Sequence, residues 1–405
     1  MSMSKRPAIQ FRGFSEEWEE RKLNSIFKCI RNAFVGTATP YYVSEGHFYL
    51  ESNNVKDGQI NRNSEIFIND EFYYRQRDKW LHTDDMVMVQ SGHVGHAAVI
   101  PESLDNSAAH ALIMFTDRMD DTYPHFLNYQ YQTRKSARKI SDITKGNTIK
   151  HILASDMKEF VVSVPEVAEQ HSIADLFMVI DQAIMLHQSK YDKLLTYKKA
   201  MLEKMFPKDG EDVPEVRFAG FLQRWEYQEA SRLFTEVVEK GYPDLPVLSA
   251  TQDRGMVFRD ETGKQIYHNK ENEVGYKRVI PGQFVIHLRS FQGGFAHSAF
   301  EGITSPAYTV FGFLNSEQHD SYFWKYIFSS EAFIKRLEIV TYGIRDGRSI
   351  SYSEFLTLKF RFPEKREQQR IAEFFCKVDE LIEANSQRLQ KLTALKKALL
   401  DKMFI

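Results

Sequence analysis

The chain has 405 residues, 42% hydrophobic and 13% aromatic, enough apolar material for at least two cores of ordinary domain size and too much for a disordered tail. Its 53 Lys and Arg against 55 Asp and Glu leave a net charge of −2, which argues against a protein that grips nucleic acid over its whole surface, so any such surface is local or completed by a partner. Cys29 and Cys376 fall in different halves with no CxxC partner, the first residues MSMSKRPAIQFRG hold no apolar signal core, and no run approaches the roughly 18 apolar residues of a spanning helix. A protein without disulfides or cysteine metal sites, in a reducing cytoplasm, is the expectation.

Along the chain, an opening PAIQFRGFSEEWEE from Pro7 leads to a strand-like run MVMVQ, Met86 to Gln90, which ends in a polar glycine loop, QSGHVGH. A helical period follows over Tyr123 to Ile140, then the loop KGNTI from Lys145, then a long heptad-patterned segment from Pro165. The order then starts again. PEVRFAGFLQRWEY from Pro214 repeats the opening with Trp225 over Trp18, FVIHLRS (Phe284 to Ser290) repeats the strand, and LRSFQGGFAH repeats its loop. A helical period over Ser321 to Val340, the loop DGRSI from Asp346 and a second heptad segment from Pro363 complete the copy. The segments from Pro165 and Pro363 align without a gap at an offset of 198, with 18 of 42 positions identical, which marks duplicated domains rather than a short-period solenoid.

The seam of the first long segment is Ile173, Phe177, Ile180, Ile184, His187, Tyr191, Leu194, Lys198, Met201 and Met205. Ile371, Phe375, Val378, Ile382, Asn385, Leu389, Leu392, Lys396, Leu399 and Met403 lie 198 residues on. Both seams are interrupted by a polar group at matching levels, His187 with Asn385 and Lys198 with Lys396, a device that lowers stability but fixes register. The two helices are therefore expected to be each other's partners. About 38 residues of helix, Glu169 to Phe206, span on the order of 57 Å. The short linker PKDGEDVPEVRF, Pro207 to Phe218, favours an antiparallel return, with the two globular units at the ends of the pair about an approximate two-fold axis. The expected fold class is α/β (α+β): globular units at 1–164 and, with the linker, 208–362, and long helices at 165–207 and 363–405.

The helix openings PEVAEQHSIADLF and PEKREQQRIAEFF, the endings KKAMLEKMF and KKALLDKMF, and the domain openings FRGFSEEW and FAGFLQRW resemble the specificity subunits of type I restriction-modification systems. The resemblance covers essentially the whole chain. It implies two target recognition domains, each reading one half of a split double-stranded DNA site, held by two helices that dock two methyltransferase subunits. It implies no cofactor in this chain; S-adenosylmethionine, and ATP and Mg for restriction, would be held by partners. Whether two restriction subunits join is left open.

Because groove edges are read by polar side chains on well-held loops, the base-reading candidates are Gln90, Ser91 and His93 in the first unit and Arg289, Ser290 and Gln292 in the second. Lys145, Asn147 and Lys150, with Arg345 and Arg348, are the candidates for phosphate or the groove rim. His93 and His96 lack a third ligand for a metal and read as loop histidines, Asp84 and Asp85 as turn or cap residues, and the pairs Lys198–Lys199 and Lys396–Lys397 as charged helix surface. There is no GxxxxGK[ST] phosphate loop, and PYYV at Pro40 lacks the second proline of an adenine-methyltransferase motif, so this chain is not expected to be an enzyme. Two other readings remain: a single-chain methyltransferase or nuclease, against which the missing motifs speak, and a coiled-coil scaffold with protein-binding end domains, which suits the near-neutral charge.

Overall fold

The computed structural model describes residues 6–146, 150–208, 210–251, 254–262, 270–287, 294–340 and 351–405. The chain divides into two compact units, Met1–His187 with Gln387–Ile405, and Gln188–Ser386, so that each takes part of both long helices. The mixed α/β class and the duplication expected from the sequence are both present.

In the first unit a four-stranded antiparallel sheet runs in the order Phe27–Asn32, Leu112–Arg118, Met86–Val89, Ala97–Val99. Met86, Met88, Ile113 and Phe115 face a core with Trp18 and Phe126, while Val87, Val89, Leu112 and Met114 face a second core with Leu50 and Val55. A strand covered on both faces must be apolar at every position, which is why Met86–Val89 reads as a continuous run rather than an alternating one. The second unit builds the same sheet from Phe234–Glu236, Thr309–Phe313, Phe284–Ile286 and Phe295–His297, over a core rich in phenylalanine that includes Phe234, Phe284, Phe311 and Trp324.

Each helical period read as one element is two. Pro124–Tyr131 stops before Thr133, whose hydroxyl caps Arg134–Ile143 by accepting from the Ser136 N–H at 3.2 Å. Ser321–Phe328 and Glu331–Val340 part at Ser330, whose hydroxyl accepts from the Phe333 N–H at 3.2 Å. The apolar period runs on across both breaks, so periodicity alone cannot find them; the hydroxyl at the N-cap position is the local signal.

The long helices run Val167–Lys204 and Lys365–Met403. Each follows a strand that pairs with the opening strand of its own repeat, Val161–Val164 with Glu19–Lys22 and Lys359–Phe362 with Glu226–Glu229. Pro165 and Pro363 then end the strand, since proline cannot donate to a ladder. In the first unit Phe177 meets Phe404 at 5.9 Å between centroids and Asp181 meets Lys396 at 2.7 Å, so residue numbers rise along one helix as they fall along the other. In the second unit Phe375 meets Phe206 at 6.1 Å and Asp379 meets Lys198 at 2.6 Å, the same antiparallel pattern. Of the seam, Ile173, Phe177, Ile180, Ile371, Phe375, Val378 and Asn385 are buried, and Ile184, His187, Leu194, Ile382 and Leu392 are half-buried. Among the described residues no helix is long and apolar enough to cross a membrane.

Candidate DNA interface

The loop after Met86–Val89 is closed at its neck by the Gly95 N–H donating to the Val89 carbonyl at 3.1 Å and the Val89 N–H donating to the His96 carbonyl at 2.8 Å. Gly95 has φ +89°, and a Cβ there would lie 2.9 Å from Cγ2 of Ile140, so the loop can pack on the helix Arg134–Ile143 only with glycine at this position. Residues far along the chain join it through their backbones. The Gly92 N–H donates to the Lys150 carbonyl at 3.1 Å, the Ile152 N–H to the Gln90 carbonyl at 3.0 Å, and Lys145 and His151 exchange two bonds of 2.8 Å. Gln90, Ser91, His93, Lys145 and Lys150 are thus brought to one place.

Their side chains are not equally available. Ser91, His93 and Lys150 are exposed, and Lys145 is exposed but tied to Asp156 at 3.1 Å. Gln90 is half-buried, with its Oε1 covered and meeting no donor among the described residues, an arrangement that leaves one acceptor in want of a partner. His93 Nε2 lies 3.0 Å from the Ser52 carbonyl, which fixes that nitrogen as the N–H donor. His96 Nδ1 accepts from the Asp57 N–H at 3.1 Å; burial pushes its pKa below the ordinary histidine value, with the Asp57 carboxylate opposing. These contacts hold loop backbone, and among the described residues no three His, Cys, Asp or Glu side chains group as a metal site. A cleft of about 570 Å³ opens beside the loop, lined by Gly92, Gly95, Lys150, Lys396 and Lys397 among others.

Asp84 and Asp85 are turn residues, as expected: Asp84 sits at φ +68°, and the Asp85 carboxylate accepts from the His82 N–H at 2.8 Å while burial pushes its pKa up to about 6. Asn147, Arg289, Ser290, Gln292, Arg345 and Arg348 lie outside the described residues.

Lys198 and Lys396 are not ordinary helix surface. Lys396 binds the buried Asp181, which also accepts from the Tyr129 hydroxyl at 2.9 Å. Lys198 binds Asp379, which accepts from the Tyr326 hydroxyl at 2.8 Å. A Tyr–Asp–Lys lock therefore ties the Pro124–Tyr131 helix, or its counterpart Ser321–Phe328, to both long helices in each unit. Sequence reading found the lysines and missed their partners, although Asp181 and Asp379 are themselves an identity of the repeat. The Glu-Gln pair that opens each helix is explained in the same way. Gln170 accepts from the Tyr123 N–H at 2.8 Å and donates to the Pro165 carbonyl at 2.8 Å, and Gln368 accepts from the Asp320 N–H at 3.0 Å and donates to the Pro363 carbonyl at 2.8 Å. The glutamates differ. Glu367 is held by both Nε and Nη2 of Arg217 at 2.7 Å, whereas Glu169 is as buried with an oxygen that meets no donor among the described residues, and its pKa is raised by burial and by Glu166.

The family model for the type I restriction modification DNA specificity domain matches residues 15–196 and again 226–394. The specificity subunit of the type I restriction enzyme MjaVIII of Methanocaldococcus jannaschii is 23% identical over 412 residues, covering 95% of this chain and 92% of that one. The specificity subunit of the EcoBI enzyme of Escherichia coli is 21% identical over 159 residues, 39% of this chain and 34% of that one. Among solved structures, the type I restriction-modification S subunit of M. genitalium shares the fold with a TM-score of 0.65 at 14% identity, covering 99% of each chain. With two copies of one domain, each matched by the same family model, and a fold shared from end to end with a solved S subunit, the chain belongs to the family of DNA specificity subunits of type I restriction-modification systems.

Proposed function

We propose that this chain is the non-catalytic component that chooses the DNA sequence for a type I complex, each recognition unit reading one half of a bipartite site. The observation that carries this is selective duplication. The sheet order, the glutamine latch and the Tyr–Asp–Lys lock recur in both units, while the loops that follow the central strand, QSGHVGH and LRSFQGGFAH, share little beyond glycine. One scaffold with two different loop sets suits two different half-sites. The first reader would be the surface around Ser91, His93 and Lys150, with Gln90 and Lys145 less free to turn outward. Arg289, Ser290 and Gln292, with Arg345 and Arg348, are its proposed counterpart, and Asn147 belongs with the first rim. The long helices dock two methyltransferase subunits, which bind S-adenosylmethionine, and set the distance between half-sites; ATP and Mg belong to restriction subunits where these join.

Inserting one heptad after Leu194 and another after Leu392 keeps the seam in register and lengthens the pair by about 10 Å, about three base pairs of duplex. The variant is expected to modify unchanged half-sites across a longer spacer, read by sequencing modified bases in cells that carry it. A folded, partner-bound variant that still modifies only the original spacing would remove the helices as the ruler.

A further inference from the structure

The two units differ in charge at a place where their scaffolds agree. The helix Arg134–Ile143 reads RKSARKISDI, four cations against one carboxylate, whereas Glu331–Val340, 197 residues on, reads EAFIKRLEIV, two against two. In a chain whose net charge is −2, a ten-residue helix with an excess of three cations makes a local positive field. Stability does not ask for it. Arg134 and Lys135 stand in the first turn, where cations add to the positive end of the helix dipole, while the second unit has Glu331 there, which offsets it. Lys135 also crowds its neighbour: burial first, and then the Lys135 charge, hold the Lys139 pKa below the ordinary lysine value, with Glu20 opposing.

The reversal of sign frees a further cation. In the second unit Lys199 pairs with Glu331 at 2.8 Å. In the first, Arg134 takes the place of Glu331, and Lys397, the counterpart of Lys199, makes no ion pair among the described residues. Arg134 is held by Asp401 at 3.5 Å, and Lys139 donates to the Val161 carbonyl at 3.3 Å, so both serve the fold. Lys135, Arg138, Lys150 and Lys397 are exposed, and none of them has a carboxylate partner among the described residues. Their helix stands between two clefts. One, about 570 Å³, opens beside the glycine loop and is lined by Lys150 and Lys397; the other, about 630 Å³, lies on the other side of the helix and is lined by Lys135 and Arg138, with Asp142 and Asp401 also in its wall. Since Gly95 packs on Ile140 of this same helix, the cations run outward from the proposed reader loop. Exposed cations in excess of carboxylates, continuous with a surface that faces the groove, suit sugar-phosphate backbone. An acidic partner protein bound once by each unit would need them in both copies, whereas a duplex with two unlike halves does not.

We infer that Lys135, Arg138 and Lys397 extend the rim at Lys150 into a track for DNA backbone that the matching helix of the second unit lacks, so that the first unit supplies the larger part of the sequence-independent grip. The choice of duplex DNA rests on the function proposed above. The test measures affinity against salt concentration for the full chain assembled with its methyltransferase subunits. It uses a duplex carrying the motif found by sequencing modified bases, and a random-sequence duplex of equal length. Changing Lys135, Arg138 and Lys397 together to Gln is expected to flatten the slope of log affinity against log salt by about two to three and to weaken both duplexes alike by about tenfold or more. The preference for the motif and the thermal unfolding of the free chain should not change. Lys135→Gln or Arg138→Gln alone should flatten the slope by about one, and the second-unit pair Lys199→Gln with Lys335→Gln by less than about one. An unchanged slope in the triple variant would overturn the inference, and so would equal flattening from the second-unit pair. A lost preference for the motif with random-sequence binding intact would overturn it too, by making these side chains readers. Should the wild-type complex bind the motif no better than random sequence while the triple variant still flattens the slope, the track would stand and the function proposed above would fall.

Discussion

Arg217→Ala is expected to lower the stability of the second unit by about 3–5 kcal/mol, because it leaves the Glu367 carboxylate buried without its cation. The two bonds of 2.7 Å form a planar fork, and the Glu367 side chain is only 1% exposed, so water cannot take the place of the guanidinium. Lysine is no substitute, since a single ammonium cannot match both oxygens along Nε and Nη2. Replacing both partners by apolar side chains, Arg217→Met with Glu367→Leu, should recover most of the loss, because a buried pair stabilises little relative to apolar groups of similar shape. Urea unfolding followed in the second unit measures all three variants; a loss below about 1 kcal/mol for Arg217→Ala would mean the pair is not the anchor of the helix start.

Lys396→Ala is expected to cost about 3 kcal/mol or more, again by stranding a buried carboxylate, here Asp181. The matching change at Lys198 should cost less, for a reason that can be read in exposure. The Asp181 and Lys396 side chains are 10% and 15% exposed, whereas Asp379 and Lys198 are 29% and 27% exposed, so solvent screens the second pair more. Exchanging the charges, Asp181→Lys with Lys396→Asp, should return part of the loss, and a double-mutant cycle isolates the coupling. Additive losses around the cycle would show that the two residues matter separately and that the lock does not fix the pairing of the helices.

The helices were legible because a heptad seam is written mainly in apolar spacing, and every seam position from Ile173 to Ile184 is buried or half-buried. The doubled openings were legible as a pattern, but not as chemistry. That Gln170 and Gln368 latch the strand end to the next helix depends on backbone groups at Tyr123 and Asp320, about fifty residues away, which no local reading locates. The locks failed for the same reason, since Lys396 and Asp181 are 215 residues apart and meet only when two helices run in opposite directions. Gln90 and Lys150 were chosen from separate loops, and ladder bonds through Gly92 and Ile152 join those loops. What residue type could not supply was availability, because Lys145 is already paired and the Gln90 oxygen is covered.

The central claim, that this one chain selects a split DNA sequence through two unlike readers, is tested most directly by sequencing modified bases across the genome of cells with and without it, each expressing the same methyltransferase subunit. The account predicts that the chain adds modification at a single motif of two short defined halves around an undefined spacer of fixed length, and that exchanging residues 208–362 for those of another specificity subunit changes one half and leaves the other. Modification that does not depend on the chain, or a continuous motif that changes as a whole on exchange, would contradict it.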